Sequence, residues 1–178
     1  MQMGFTLGKN TGGINNSGGQ SSTADLNDPN NTQYPDGVVG NDSEQAFRLS
    51  GSYTLPWDIN LSGSMVANNG YPYISTYSLT RAAAATQGIT LTRASQTILL
   101  SNRGDERYDN VTLFDMRLGK TFRFGSRSIT PQVDFFNIAN AATVVNTTVA
   151  VGPSYLLPSG GDPILSPRII RVGFNLNF

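Results

Sequence analysis

Along this 178-residue chain, stretches about ten residues long have apolar and polar side chains taking turns, and a period of two dictates extended strands with two unlike faces. The last stretch, from Arg168 to Phe178, puts Ile170, Val172, Phe174, Leu176 and Phe178 on one side. Ile169, Arg171, Gly173, Asn175 and Asn177 fall on the other. From Phe114 to Phe124 the apolar side is Phe114, Met116, Leu118, Lys120, Phe122 and Phe124, opposite Asp115, Arg117, Gly119, Thr121 and Arg123. Lys120 interrupts that apolar side, where its stem could lie along lipid and its ammonium reach the headgroups. From Ile129 the pattern is Ile129, Pro131, Val133 and Phe135 against Thr130, Gln132 and Asp134. Phe47 to Leu55, Trp57 to Met65 and Met1 to Leu7 repeat it, for six strands in all.

The links between these strands alternate in length. Leu55-Pro56-Trp57-Asp58 and Gly125-Ser126-Arg127-Ser128 are tight turns, whereas residues 9–44, 68–109 and 140–167 are long and polar. Compact soluble domains rarely carry three unstructured links of that length. Membrane β-barrels do, with short turns on the periplasmic side and long loops outside. Tyr53, Trp57, Phe122 and Phe124 lie near the short turns and suit an interfacial aromatic girdle. Phe178 falls at the same end, which would place the C-terminus in the periplasm. The expected fold is an all-β, antiparallel, up-and-down transmembrane barrel.

Composition narrows the chemistry. Twelve basic and 12 acidic residues cancel, so the basic excess that nucleic-acid binding needs is lacking. Charged residues make up 13%, about half the usual share of a soluble domain. No apolar run reaches the roughly 20 residues of a membrane helix. With no Cys and no His, disulfides, thiol chemistry, zinc fingers and a Ser-His-Asp triad are excluded. Lys9 and Lys120 have no motif around them that would make a Ser-Lys pair, and nothing marks an enclosed carboxylate pair of the glycosidase kind. The chain reads as a non-enzyme needing no cofactor or metal. The residues Asp25, Asn27, Asp28, Asn30, Asn31, Asp36, Asn41 and Asp42 could offer oxygens to Ca²⁺, but their spacing is not that of the EF-hand loop. Solvated turns favour Asp and Asn in any case.

Six strands fall short of the eight at which membrane barrels begin, and an open sheet in lipid leaves costly unpaired edges. Met1-Gln2-Met3-Gly4-Phe5 is no signal peptide. The expectation is therefore the C-terminal portion of a larger barrel, residues 1–178 forming one part of a single domain.

The final eight residues resemble the C-terminal insertion signal of outer-membrane barrels, carried by Arg171, Gly173, Leu176 and Phe178. By chance such a pattern ends roughly one chain in a thousand. The resemblance implies recognition by the barrel-assembly machinery through strand addition. Asp134-Phe135-Phe136-Asn137-Ile138-Ala139-Asn140 resembles the Asn-Leu-Phe-Asn box of TonB-dependent receptors, with Ala139 where an aromatic is usual. Leu49 to Pro56, Ile59 to Gly63, Met116 to Gly125 and Pro167 to Arg171 are similar to strands of their Oar-like branch, which bears a carboxypeptidase-regulatory domain. The resemblance covers about the final 135 residues and rests on those segments. It implies the last six strands of a barrel of about 22 in the bacterial outer membrane, an N-terminal plug outside these residues, and energisation by the TonB complex. The expected function is uptake of a siderophore, glycan or peptide.

Asp115, Arg117, Arg123 and Asp134 share the inferred lumen side. They would guide a charged substrate or contact a plug, or else simply neutralise one another, which is the favoured reading. Tyr71, Tyr73 and Tyr77 suit an outer aromatic belt or a ligand contact, and Ala82 to Ala85 a short helix. Arg81, Arg93, Arg103 and Arg107 read as solvated loop residues. The competing readings are another outer-membrane barrel, a porin or adhesin, and a soluble β-sandwich for adhesion or carbohydrate binding. A soluble sandwich would purify as a monomer without detergent.

Overall fold

A computed structural model describes residues 1–11, 37–40, 42–102 and 104–178. The elements run β1 (Gln2–Leu7), β2 (Gln45–Leu55), β3 (Ile59–Asn68), β4 (Pro72–Tyr73), β5 (Thr76–Thr80), α1 (Arg81–Thr86), β6 (Ser95–Leu99), β7 (Glu106–Arg107), β8 (Val111–Lys120), β9 (Phe122–Phe124), β10 (Arg127–Phe136) and β11 (Ile169–Asn177). The principal sheet follows the order β1-β2-β3-β8-β10-β11, with β9 also on β10, and every pairing is antiparallel. β8 and β9 form one line of backbone, since Gly119↔Gln132 and Phe122↔Ile129 keep a single register. Between them the Thr121 N–H donates to the Asp58 carbonyl on the β3 side at 2.9 Å. Each long strand thus lies beside its neighbour in sequence, an up-and-down meander of the six expected strands. The sheet is open: β1 and β11 end the path without meeting.

The pairing registers bring the alternate residues of neighbouring strands into line. Met3↔Leu49, Leu49↔Met65 and Met65↔Phe114 form one apolar row across β1, β2, β3 and β8. Leu61↔Leu118, Leu118↔Val133 and Val133↔Val172 form a second across β3, β8, β10 and β11. Such cross-strand pairs stabilise a sheet by up to about 1 kcal/mol each. The two remaining sheets are two-stranded pairs inside the long connections, so neither backs this apolar side. Phe5, Tyr53, Phe124, Val172 and Phe174 are all exposed.

Trp57 does not join a strand as the alternation suggests. The pair Leu55↔Ile59 leaves Pro56–Asp58 to close the turn, and Trp57 and Asp58 take left-handed φ of 65° and 56°. The tight reversal, not side-chain alternation, sets the backbone there. Trp57 projects from the turn, 81% exposed, at the same end as Tyr53, Phe122 and Phe124.

The long links are not structureless. β4 pairs with β7 and β5 with β6 in the second link, and bridges Val144↔Ile164 and Thr147↔Pro158 fold the third on itself. A parallel bridge, Thr76↔Ala150, joins the two links. Helix α1 covers Ala82 to Ala85, and its first turn is capped by the Thr80 hydroxyl accepting from the Ala83 N–H at 3.2 Å. Polar sequence concealed this order because its pairings join residues well apart in sequence, mostly within one link, with no apolar alternation to mark them. Gly70 is buried where a Cβ would fall onto the Tyr108 carbonyl. Gly70→Ala is expected to cost about 1–3 kcal/mol by overpacking, read as earlier proteolytic cleavage within residues 69–110.

Candidate functional site: the polar face of the sheet

Side chains on the second face follow the same registers. One row reads Ser52, Ser62, Arg117, Asp134 and Arg171 across β2, β3, β8, β10 and β11. The next reads Gln2, Ser50, Ser64 and Asp115 across β1, β2, β3 and β8, with Phe136 lining the same recess. Asp134, 3% exposed, stands between two arginines that face it from both neighbouring strands. Arg117 donates to both of its carboxylate oxygens, and Arg171 donates Nε and Nη2 to Oδ2 at 2.8 and 2.7 Å. The Arg171 guanidinium also lies 5.0 Å from the Phe136 ring centroid.

Of the four charges expected on this face, the structure joins Arg117 to Asp134 and separates the other two. Arg123 reaches Asp58 at 3.0 Å near the short turn. Asp115 accepts the Asn137 backbone N–H at 2.8 Å, so it holds the chain as it leaves β10. Arg171, expected on the polar side of the last strand and within the terminal signal, turns out to be the second partner of Asp134. Sequence spacing could not reveal that, because the register of β11 is set across a link of more than thirty residues, 137–168. Gly173 pairs with Gln132 and Leu176 with Ile129, while Phe178 follows the pair Ser128↔Asn177 at the short-turn end, 90% exposed.

Toward the long links a second polar cluster forms. Arg107 donates to Asp42 Oδ2 at 2.9 Å, Glu44 Oε1 at 3.1 Å, and the carbonyls of Asp42 and Gly70 at 3.0 and 3.2 Å. It is therefore a tie between two links and not a solvated residue; Asp42 is 1% exposed. Arg81 donates to the carbonyls of Arg93 and Thr92. The Glu106 carboxylate accepts from the Ser75 N–H, the Ser75 hydroxyl and the Ser101 hydroxyl, and Ser75 Oγ meets Tyr155 Oη at 2.6 Å. Tyr73 stacks on Tyr108 with centroids 4.7 Å apart, whereas Tyr71 and Tyr77 are exposed.

Burial first, then the Glu106 carboxylate, pushes the Tyr73 phenol above its ordinary 10.0. Ionising it costs more in the fold than in the unfolded chain. Its contribution is thus intact below pH 10 and declines as pH rises through the folded value. Absorbance titration is expected to show a late-ionising tyrosine component, and Tyr73→Phe to remove it.

No protein-family model, curated protein or solved structure matches this chain. Among the described residues no group of acidic side chains is placed to hold a metal ion. Asp25, Asn27, Asp28, Asn30, Asn31, Asp36, Asn41 and Arg103 lie outside the described residues.

Proposed function

We propose that this chain is the barrel-wall portion of an outer-membrane receptor of the TonB-dependent kind, taking up a ligand through the lumen its polar face lines. The observation carrying the reading is an apolar face that continues across all the long strands and, among the described residues, meets no second sheet. Soluble monomers seldom leave so extensive an apolar patch bare. Strands β2, β3, β8, β10 and β11 have 11, 10, 10, 10 and 9 residues, which fits the roughly 9–11 of a tilted membrane strand. Short links at one end and long ones at the other match the asymmetry of such barrels. Closure needs further strands to pair β1 and β11, because open edges are untenable in lipid. The insertion-signal residues occupy one of those edges, open to the strand addition by which assembly machinery would take it. The TonB complex would act through a plug supplied outside these residues.

Single cysteines test the orientation, since the chain has no other. Fluorophores at Leu118, Val133 and Val172 are expected to be quenched by brominated lipid in reconstituted vesicles. Those at Ser62, Gln132 and Asn175 should not be. Equal quenching of the two sets, or none of either, overturns the reading. Reconstitution of the complete polypeptide then separates a receptor from a porin: a plugged receptor should leave the bilayer non-conducting, and steady conductance would favour the porin.

A further inference from the structure

The polar face is not uniformly furnished. On β2 and β3 the registers Ser50↔Ser64 and Ser52↔Ser62 set four serines on one face in two facing pairs. The next strand adds Asp115 beside Ser64 and Arg117 beside Ser62. Together with Phe136 they line an open recess of about 580 Å³, within the roughly 300–1,000 Å³ of small-ligand sites. Among the described residues none of these four hydroxyls has a hydrogen-bond partner. Asp115 commits Oδ1 to the Asn137 N–H, and Arg117 commits Nε and Nη2 to Asp134. Asp115 Oδ2 and Arg117 Nη1 are left to the recess.

Its chemistry is selective. The charges cancel locally, Asp115 and Asp134 against Arg117 and Arg171. An anion placed over the serines would meet Asp115, and a cation would meet Arg117. A serine hydroxyl both donates and accepts, as does each hydroxyl of a sugar. The carboxylate and guanidinium add one strong acceptor and one strong donor at the border. Met1 and Phe136 supply apolar edges. We infer that this serine-walled recess binds a neutral polyhydroxylated ligand, a short oligosaccharide segment.

The inference rests on the receptor reading, which turns this face into a lumen, and it selects one ligand class among those the reading admits. The test uses the complete polypeptide in detergent, equilibrated with equimolar pools of neutral tri- to pentasaccharides, galacturonate oligomers and tetrapeptides. Retained species are identified by mass spectrometry. Retention of at least one neutral saccharide is expected. The combined variant Ser50→Ala, Ser52→Ala, Ser62→Ala, Ser64→Ala should weaken it at least about tenfold. That variant strips no protein group of its partner, so its fold is expected to survive, checked by unchanged heat-modifiable migration. Retention of no saccharide, preference for galacturonate or peptide, or undiminished affinity in the variant overturns the inference. The lipid-quenching scan on the same preparation tells the two failures apart. A quenched apolar face without saccharide binding sinks the site alone, while an unquenched one sinks the receptor reading whatever binds.

Discussion

Leu118→Arg is expected to destabilise the assembled sheet by about 2–4 kcal/mol, the depth-dependent cost of a cation on the lipid face of a barrel. Leu118 stands in the middle of the continuous line of β8 and β9, paired with Leu61 and Val133, and is 43% exposed. In a water-soluble sheet a substitution at so open a position changes stability by no more than about 0.5 kcal/mol. The same replacement one strand away on the opposite face, Gln132→Arg, is the control, since that side chain stays in water under either reading. Urea-dependent unfolding in lipid, followed by tryptophan emission from Trp57, measures both. A Leu118→Arg protein as stable as the Gln132→Arg protein would mean that lipid does not contact this face.

Asp134→Asn is expected to have the larger effect on assembly. The substitution keeps the shape but leaves Arg117 and Arg171, which both bond to this carboxylate, facing each other across β10 without a counter-charge. Removing the shared, buried member of this triad leaves two half-exposed guanidiniums without their counter-charge at once. Arg117→Ala or Arg171→Ala removes one partner and leaves Asp134 the other. The expected order is thus a several-fold lower yield of folded protein for Asp134→Asn, and smaller losses for either arginine variant. Arg123→Ala, which breaks only an exposed pair with Asp58, is expected to change nothing measurable. Gel migration of unheated and heated samples reads all four. Equal yields for Asp134→Asn and Arg123→Ala would reduce the triad to a solvated surface contact.

Alternation within each strand is a local property: one residue up, the next down, so apolar and polar sides follow from the chain without knowing any partner. That is why β2, β3, β8, β10 and β11 were legible, and why Asp115, Arg117 and Asp134 could be assigned to one face. The two short turns were legible for the same reason, since adjacent strands can pair only with each other across so few residues. Trp57 was misplaced because alternation continues formally through a turn that the backbone has already closed.

Contacts that depend on register across a long link come from the folded sheet and not from any one strand. Asp134 meets Arg171 because β11 pairs with β10 in one register of many that its sequence allows; sliding the strand by two residues would keep every face and lose that contact. The four serines face one another in two pairs for the same reason: Ser50 and Ser52 come from β2, Ser62 and Ser64 from β3, and only the pairing sets them opposite. Arg107, read as solvated, is held by Asp42 and Glu44 from a link more than sixty residues upstream, a distance of 65 and 63 positions. Which side of each strand is apolar follows from the order of its residues alone, because side-chain direction is fixed by the covalent geometry of an extended chain. Which polar groups meet on the other side was left to the fold, because those contacts are made between strands and not along them.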